Sequence, residues 1–432
     1  MHRHGMCLFF LIFPPLIHCP HYLSIMKKIL LLLICTGAML SPLSAQKRVY
    51  EDIRKSLQTQ LIMAETGDTL RIGAGYFRSS GTLSMDGKKE VVIMGAGMDK
   101  TFISFKEQTE GAEGLHFSHC QNITLADLTV QDAKGDAVKA KDVDGISFLR
   151  VRAEWTGKPS PKNGAYGLYP VQCSNVLIDG CEAIGASDAG IYVGQSTRII
   201  VRNSVARHNV AGIEIENSTM ADVYSCEAYN NTGGLLVFDL PDLPVKKGGS
   251  VRLYNNYVHD NNLKNFAPKG NIVASVPPGT GIMILAASHV EIFDNRIIDN
   301  QTGSLTIASY YITQSPINDK EYDPYPAAIS VHDNTFSRKA GAPLRKSKFG
   351  WLFFLKFKKD IPHIVYDGIV DSKSLNDDGT VRDELRICIR NNGDAGFANL
   401  DAGNDFKGLS RDASSYDCSL KPLNPATLSS IK

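Results

Sequence analysis

The sequence predicts an all-β fold, a parallel solenoid of short strands covered at its first coil by a helix. Two observations carry the solenoid. Glycine-led strand motifs return at a steady interval: Gly190, Gly212 and Gly234 open "GIYVG", "GIEIE" and "GLLVF" 22 residues apart. Each motif is followed by a second short strand and, past a polar corner, by a third. One such unit cannot bury its own apolar face, so units must stack. The third observation is compositional. With 37 glycines in 432 residues and 43% hydrophobic content, this is a turn-rich folded chain.

The elements follow in chain order. From Met26, "MKKILLLLICTGAMLSPLSAQ" sets two lysines before an apolar run and small residues up to Ala45. That is the layout of an export signal. Residues 1–45 are therefore expected to be a leader with its true start at Met26, and the protein to be periplasmic or extracellular without a lipid anchor. The apolar run falls short of the ~20 residues of a spanning helix, so no membrane span is expected in the mature chain. His2, His4, His18 and His21 lie in the leader and are assigned no metal. Next, "VYEDIRKSLQTQLIMA" places Val49, Ile53, Leu57 and Leu61 on one helical stripe, suited to covering an open sheet edge.

Strand openings then recur at Gly114, Asp136, Gly167, Gly190, Gly212, Gly234, Gly281 and Gly303, with second strands such as "NVLID", "RIIVR", "SVRLY" and "HVEIF". Asn203, Asn256, Asn295 and Asn334 recur at one corner, where stacked amides would hydrogen-bond along the axis. The β-helix is expected over residues 46–336, and terminal coils with a cap over 337–432. Within the latter, "GWLFFLKFKK" breaks the period and receives no place.

The helix followed by "GDTLRIGAGYF", "EVVIMGAG" and "KTFISF", and then by repeated coils, resembles the opening of the pectate-lyase-like proteins. The resemblance implies a right-handed parallel β-helix from about Val49 to Phe336. The stretches "DPYPAAISVHDNTF" and "ICIRNNGDAGFANLD" are similar to a family of exported parallel β-helix repeat proteins. This scaffold hosts many functions, so activity must be argued from a site. "YGLYPVQ", Tyr166 to Gln172, resembles the coil-opening element of the single-β-helix mannuronan C5-epimerases. Here Tyr169, Val171 and Gln172 stand where that family has an acid, a histidine base and a second acid, and Gln195 stands in place of its arginine. The resemblance thus implies the scaffold without the epimerase machinery.

Alternation along a strand turns Ile191, Val193, Ile213 and Ile215 inward. Their neighbours form an outward column: His116, Lys139, Tyr169, Tyr192, Glu214, Leu236, Met283 and Thr306. A second column holds Ser118, Lys141, Val171, Gly194, Glu216, Phe238 and Leu285. Long insertions at 156–166, 263–280 and 311–327 are expected to leave from one side of this face, and 239–249 from the other, walling a groove.

In that groove Lys139, Tyr169 and Glu214 are the candidate catalytic residues: a lysine–tyrosine pair for a lyase, and a carboxyl as acid or base. Tyr192, Glu216, His116 and Lys141 are candidate substrate contacts, the tyrosine by stacking on sugar rings. Glu214 and Glu216 leave one strand ~6.8 Å apart, within the spacing of an inverting hydrolase pair. The plainer reading is of solvated charges and of tyrosines favoured by strand propensity. Leu236, Phe238, Met283 and Leu285 are expected to pack beneath the loops. The resulting expectation is a groove for carbohydrate or an envelope partner, the alternative being a lyase or hydrolase acting on an acidic glycan. No cofactor is expected, since no outward aspartate cluster suits calcium and no cysteine spacing suits zinc. A net charge of +1 argues against nucleic acid, and a monomer is expected. Outside the leader, Cys120, Cys173, Cys181 and Cys226 lie in coils, where thiols pack well. Cys388 and Cys418 are the candidate disulfide.

Overall fold

The computed structural model describes residues 50–429, and the expected leader lies outside the described residues. The eight strand openings become neighbours in one parallel sheet of 11 strands, from Gly81–Asp86 to Phe397–Asn399. Second and third strands of the coils form the other walls, within a 20-stranded sheet. In the coil of Asp144–Glu154 the two run as one 11-residue strand, which pairs with both Ser174–Asp179 and Glu182–Ile184. Inside, Ile191, Val193, Ile213, Ile215, Leu235, Val237, Ile282 and Ile284 belong to one continuous apolar core. Their β-branched and aliphatic side chains suit strands stacked ~4.8 Å apart.

The corners are held by amide ladders. Asn256 donates from Nδ2 to Oδ1 of Asn295 at 3.0 Å, Asn295 to Asn334 at 2.9 Å, and Asn334 to Asn392 at 3.0 Å. Asn203 does not belong to this ladder. It aligns with Ser225 and Asn255 at the left-handed corner position, where its φ is 49°, and its amide turns outward to Asp179. The ladder position in that coil is Ser204, whose Oγ accepts from the Cys181 amide. A second ladder, unmarked in the sequence reading, links Asn209, Asn231, Asn261 and Asn300 through 3.0 Å bonds. All four side chains are fully buried.

Two helices cover strand edges and faces. Helix α1, Arg54–Met63, buries Leu57 and Leu61. From it, the Gln58 amide makes two bonds to the backbone of Ser84 in the first strand of the 11-stranded sheet, 2.8 and 2.9 Å long. Helix α2, Lys348–Phe357, is the stretch that broke the period. Ser347 caps it by accepting from the Gly350 amide, and Phe353 and Phe357 pack on Val365, Ala398 and Leu400. Val365 and Ala398 continue the outward column, so α2 covers the last two strands of that sheet. Cys388 and Cys418 form a disulfide, with Cα atoms 4.9 Å apart, while Cys120, Cys173, Cys181 and Cys226 are free and buried. Among the described residues, no helix is long and apolar enough to cross a membrane.

Candidate functional site

Register along the 11-stranded sheet aligns His116 with Lys139 and Lys139 with Tyr169. Tyr192 aligns with Glu214, Glu214 with Leu236, Leu236 with Met283 and Met283 with Thr306. Lys141 aligns with Ser118 and Val171, and Glu216 with Gly194 and Phe238, in the neighbouring column. These side chains point away from the solenoid core, yet most of the face is roofed rather than open. Tyr192 is 4% exposed, Glu214 1% and Glu216 8%. The covering residues come from the insertions: Tyr166, Phe266, Ile272, Val273, Val276, Tyr310 and Tyr322 pack with Tyr192, Leu236, Phe238, Met283 and Leu285 in a second apolar cluster outside the core. Loop 239–249 arrives from the far edge and locks to the third insertion through Lys246–Asp319 at 2.7 Å and Lys247–Asp323 at 3.0 Å. Two adjacent outward columns that carry Leu236 and Met283 beside Phe238 and Leu285 would expose a large apolar patch, and the loops bury it.

Beneath the roof lies a tyrosine–carboxyl cluster. Tyr192 donates its hydroxyl to Glu216 Oε1 at 2.5 Å. To do so its ring lies across Gly194, where an added Cβ would meet the tyrosine hydroxyl at 2.3 Å. Rings of Tyr166, Tyr169 and Tyr192 pack with centroids 4.4–5.0 Å apart. Asp188, just before the strand Ala189–Gly194, accepts from the Asn271 amide at 3.0 Å. Glu214 Oε2 is buried with no hydrogen-bond partner. Burial, reinforced by the charge of Glu216, holds the Glu214 carboxyl well above its ordinary range. Burial also pushes Asp188 and Glu216 up to about 7. A carboxyl in such surroundings keeps its proton near neutral pH.

The basic residues are arranged differently from the sequence expectation. Lys139 is enclosed by Glu113 and Asp136, each at 3.7 Å, and its ammonium lies 5.0 Å from the centre of the Tyr169 ring. Its charge is thus matched within the protein rather than free for a ligand carboxylate. Tyr169 is half-buried, and burial raises its phenol pKa. That opposes a phenolate role. Lys141 sits 3.9 Å from Asp142 at the exposed corner. His116 has a buried Nε2 without a partner, and burial lowers its pKa. Both lie toward the first coils, apart from the acid cluster.

Adjoining the cluster is a cavity of about 630 Å³ on the same outward face. Phe238, Met283 and Leu285 floor it, and Phe238 is the ladder neighbour of Glu216. Asn271, Ser275, Thr313, Gln314 and Ser347 supply polar groups at its lining, with Lys346 and Lys348 at the start of α2. Asn271 therefore stands between cavity and acids, lining one and binding the other. Sequence reasoning placed Phe238, Met283 and Leu285 on this face as residues packed beneath the loops, and did not find Asp188, Asn271 or the two lysines. Asp188 reads as an ordinary turn acid in "SDAG", and the loop partner lies 83 residues away.

A family model described as "Right handed beta helix region" matches residues 101–242. No curated protein sequence matches the chain. Among solved structures, it is similar to the A-module of an Azotobacter vinelandii mannuronan C-5 epimerase, at 16% identity, 74% coverage of this chain, 89% of that one and a TM-score of 0.46. It is similar also to the catalytic unit of an alpha-1,3-glucanase from Streptomyces thermodiastaticus, at 17% identity, coverages of 74% and 48% and a TM-score of 0.43. A third is a surface adhesin of Streptococcus pneumoniae, at 10% identity, coverages of 68% and 90% and a TM-score of 0.40. The strand ladders and the family match agree: this chain folds as a right-handed parallel β-helix.

Proposed function

We propose that this is an exported glycan-binding protein whose ligand is a short acidic oligosaccharide seated over Phe238, Met283 and Leu285. The observation that carries the reading is the cavity itself: about 630 Å³ with an apolar floor and a polar, cationic rim. That volume is in the range of small-ligand sites, which combine apolar walls with a few placed polar groups. Sugar C–H faces would lie on the floor, and hydroxyls would meet Asn271, Ser275, Thr313 and Gln314. Lys346 and Lys348 make no ion pair among the described residues, and they would meet a carboxylate or sulfate.

Calorimetric titration with matched acidic and neutral oligosaccharides tests this. Binding is expected for an acidic member, lost in Leu285→Trp, which fills the floor, and weakened in Lys346→Ala/Lys348→Ala and at high salt. Failure of every acidic oligosaccharide to bind, or binding indifferent to Leu285→Trp, overturns it.

One observation favours a second reading, hydrolysis of the bound glycan. The partnerless Glu214 carboxyl and the raised Glu216 carboxyl share a cluster with Asp188, which the cavity-lining Asn271 holds, and a protonated buried acid is what a general acid requires. Release of new reducing ends by the wild type, abolished in Glu214→Gln with binding retained, would support it.

A further inference from the structure

A separate feature lies on a different wall of the solenoid. Beyond Cys418, which is bonded to Cys388 in the last second-strand position, the chain runs back along the outside of the second strands. The Leu423 amide donates to Glu291 Oε2 at 3.1 Å, and Ser429 donates from both its amide and its hydroxyl to Asn175 Oδ1 at 2.9 Å. Between them the Ala426 amide faces the Asp222 carboxylate. Leu423, Ala426 and Ser429 are three residues apart. Their acceptors sit in the strands Ser288–Phe293, Thr219–Tyr224 and Ser174–Asp179, which are two ladder steps apart each time.

Those two spacings coincide for a physical reason. Polyproline II has three residues per turn and a rise of ~3.1 Å, so one turn covers ~9.3 Å. Two coils of a parallel β-helix cover ~9.6 Å at the usual ~4.8 Å strand separation. Pro422 and Pro425 fix φ at two of the eight positions between Pro422 and Ser429 and favour extended backbone in the residues before them. An extended segment of this twist presents one amide to the wall in every turn, in step with every second coil. Ala426 is buried and Leu423 half-buried, while Asn424 and Thr427 are exposed, as is Ser429 at the far end. The seat is not sealed: a cavity of about 420 Å³ remains between tail and wall, bordered by Ser250, His289 and Pro422. Asp222 Oδ1 and Arg252 Nε within the wall are buried without a hydrogen-bond partner.

We propose that the second-strand wall is a binding site for polyproline II peptides, one that reads an N–H at every third residue through Glu291, Asp222 and Asn175. Its occupant is this chain's own tail, residues 421–429, which the Cys388–Cys418 bond delivers to the groove. The specificity is for backbone phase rather than for side chains, because the wall supplies acceptors and the ligand supplies amides.

The test exploits proline's ability to delete an amide while keeping the extended shape. In full-length protein, Leu423→Pro/Ala426→Pro removes two wall-facing donors, and Asn424→Pro/Thr427→Pro makes the same change in the outward phase. Hydrogen exchange read by NMR is expected to show amides 423, 426 and 429 protected in the wild type and 424 and 427 exchanging freely. The inward pair should lower Ser429 protection by about tenfold or more, since the hydrogen bond to Glu291 and the amide facing Asp222 are both lost, whereas the outward pair leaves it unchanged. A fluorescent peptide of residues 419–430 should bind one-to-one to the inward-pair variant and not to the outward-pair variant. Protection without the three-residue period, equal behaviour of the two variants, or peptide binding to both or to neither overturns the proposal. The wild-type exchange pattern decides it even where a variant does not fold.

Discussion

Three carboxyls in the roofed cluster, Asp188, Glu214 and Glu216, are held protonated mainly by burial, and this has a consequence for stability. Folded Asp188 and Glu216 titrate at about 7, against ordinary values of 3.8 and 4.5. Between those limits the folded chain keeps protons that the unfolded chain has released. Linkage then makes stability full below the ordinary carboxylate range and lets it decline as pH rises toward 7. Glu214→Gln substitutes a neutral amide for the carboxyl held furthest above its ordinary value. Thermal unfolding is expected to show the variant melting about 2 °C higher than the wild type at pH 8, with the gap closing at pH 4.5. A lower melting temperature at pH 8 would mean that Glu214 is ionised and paired. The residues of this cluster were only partly legible beforehand. Alternation placed Tyr192, Glu214 and Glu216 on one outward face, because a period of two follows from the strand alone. Their burial was not, because it depends on Asn271, Val273 and Tyr322, which approach from distant loops.

At the level of elements, the second amide ladder does what aliphatic packing cannot do at a sharp corner: it satisfies backbone groups turned inward. Asn261 accepts from the Asn231 backbone and side-chain amides, and donates to Ala228 O and Asn300 Oδ1. Asn261→Ala would leave buried donors on Asn231 unpaired, at a cost of about 2–4 kcal/mol. Asn203→Ala, at an exposed corner outside either ladder, should cost only about 1 kcal/mol, the strain of a left-handed backbone that asparagine tolerates better than alanine. Equilibrium urea unfolding of the two variants separates these outcomes. Both positions are asparagines in corners of the same repeat, and sequence spacing does not tell them apart. The distinction is one of backbone conformation, since Asn203 occupies a left-handed position and Asn261 an inward one. Helix α2 was legible in principle. Phe349, Phe353 and Phe357 recur every four residues, which is helical spacing, but the stretch is short and stands among strand-forming coils whose period it interrupts.

For the molecule as a whole, the order of coils was readable because stacking repeats a single solution, and each glycine-led strand reports its own register. What the repeat could not convey is how the stack is tied along its length. The disulfide joins residues 30 apart, and in the chain-entropy view removing it costs about 3–4 kcal/mol. Cys388→Ser/Cys418→Ser is expected to lose that stability with faster hydrogen exchange concentrated in the strands Ile387–Arg390 and Phe397–Asn399. Contacts in a solenoid are between neighbours, so the early coils should be little changed. Exchange accelerating equally in every coil would argue for a single cooperative unit.

The bond pair from Gln58 to Ser84 bears on assembly. A stacked-strand rod is an invitation to extend itself, since its terminal strand offers unmet donors and acceptors to any passing β-segment. In this protein one glutamine side chain fills that vacancy by imitating a peptide group, carbonyl to amide and amide to carbonyl. The leading end is thereby made a poor template, and growth of the rod by head-to-tail addition of further molecules is discouraged by a single residue.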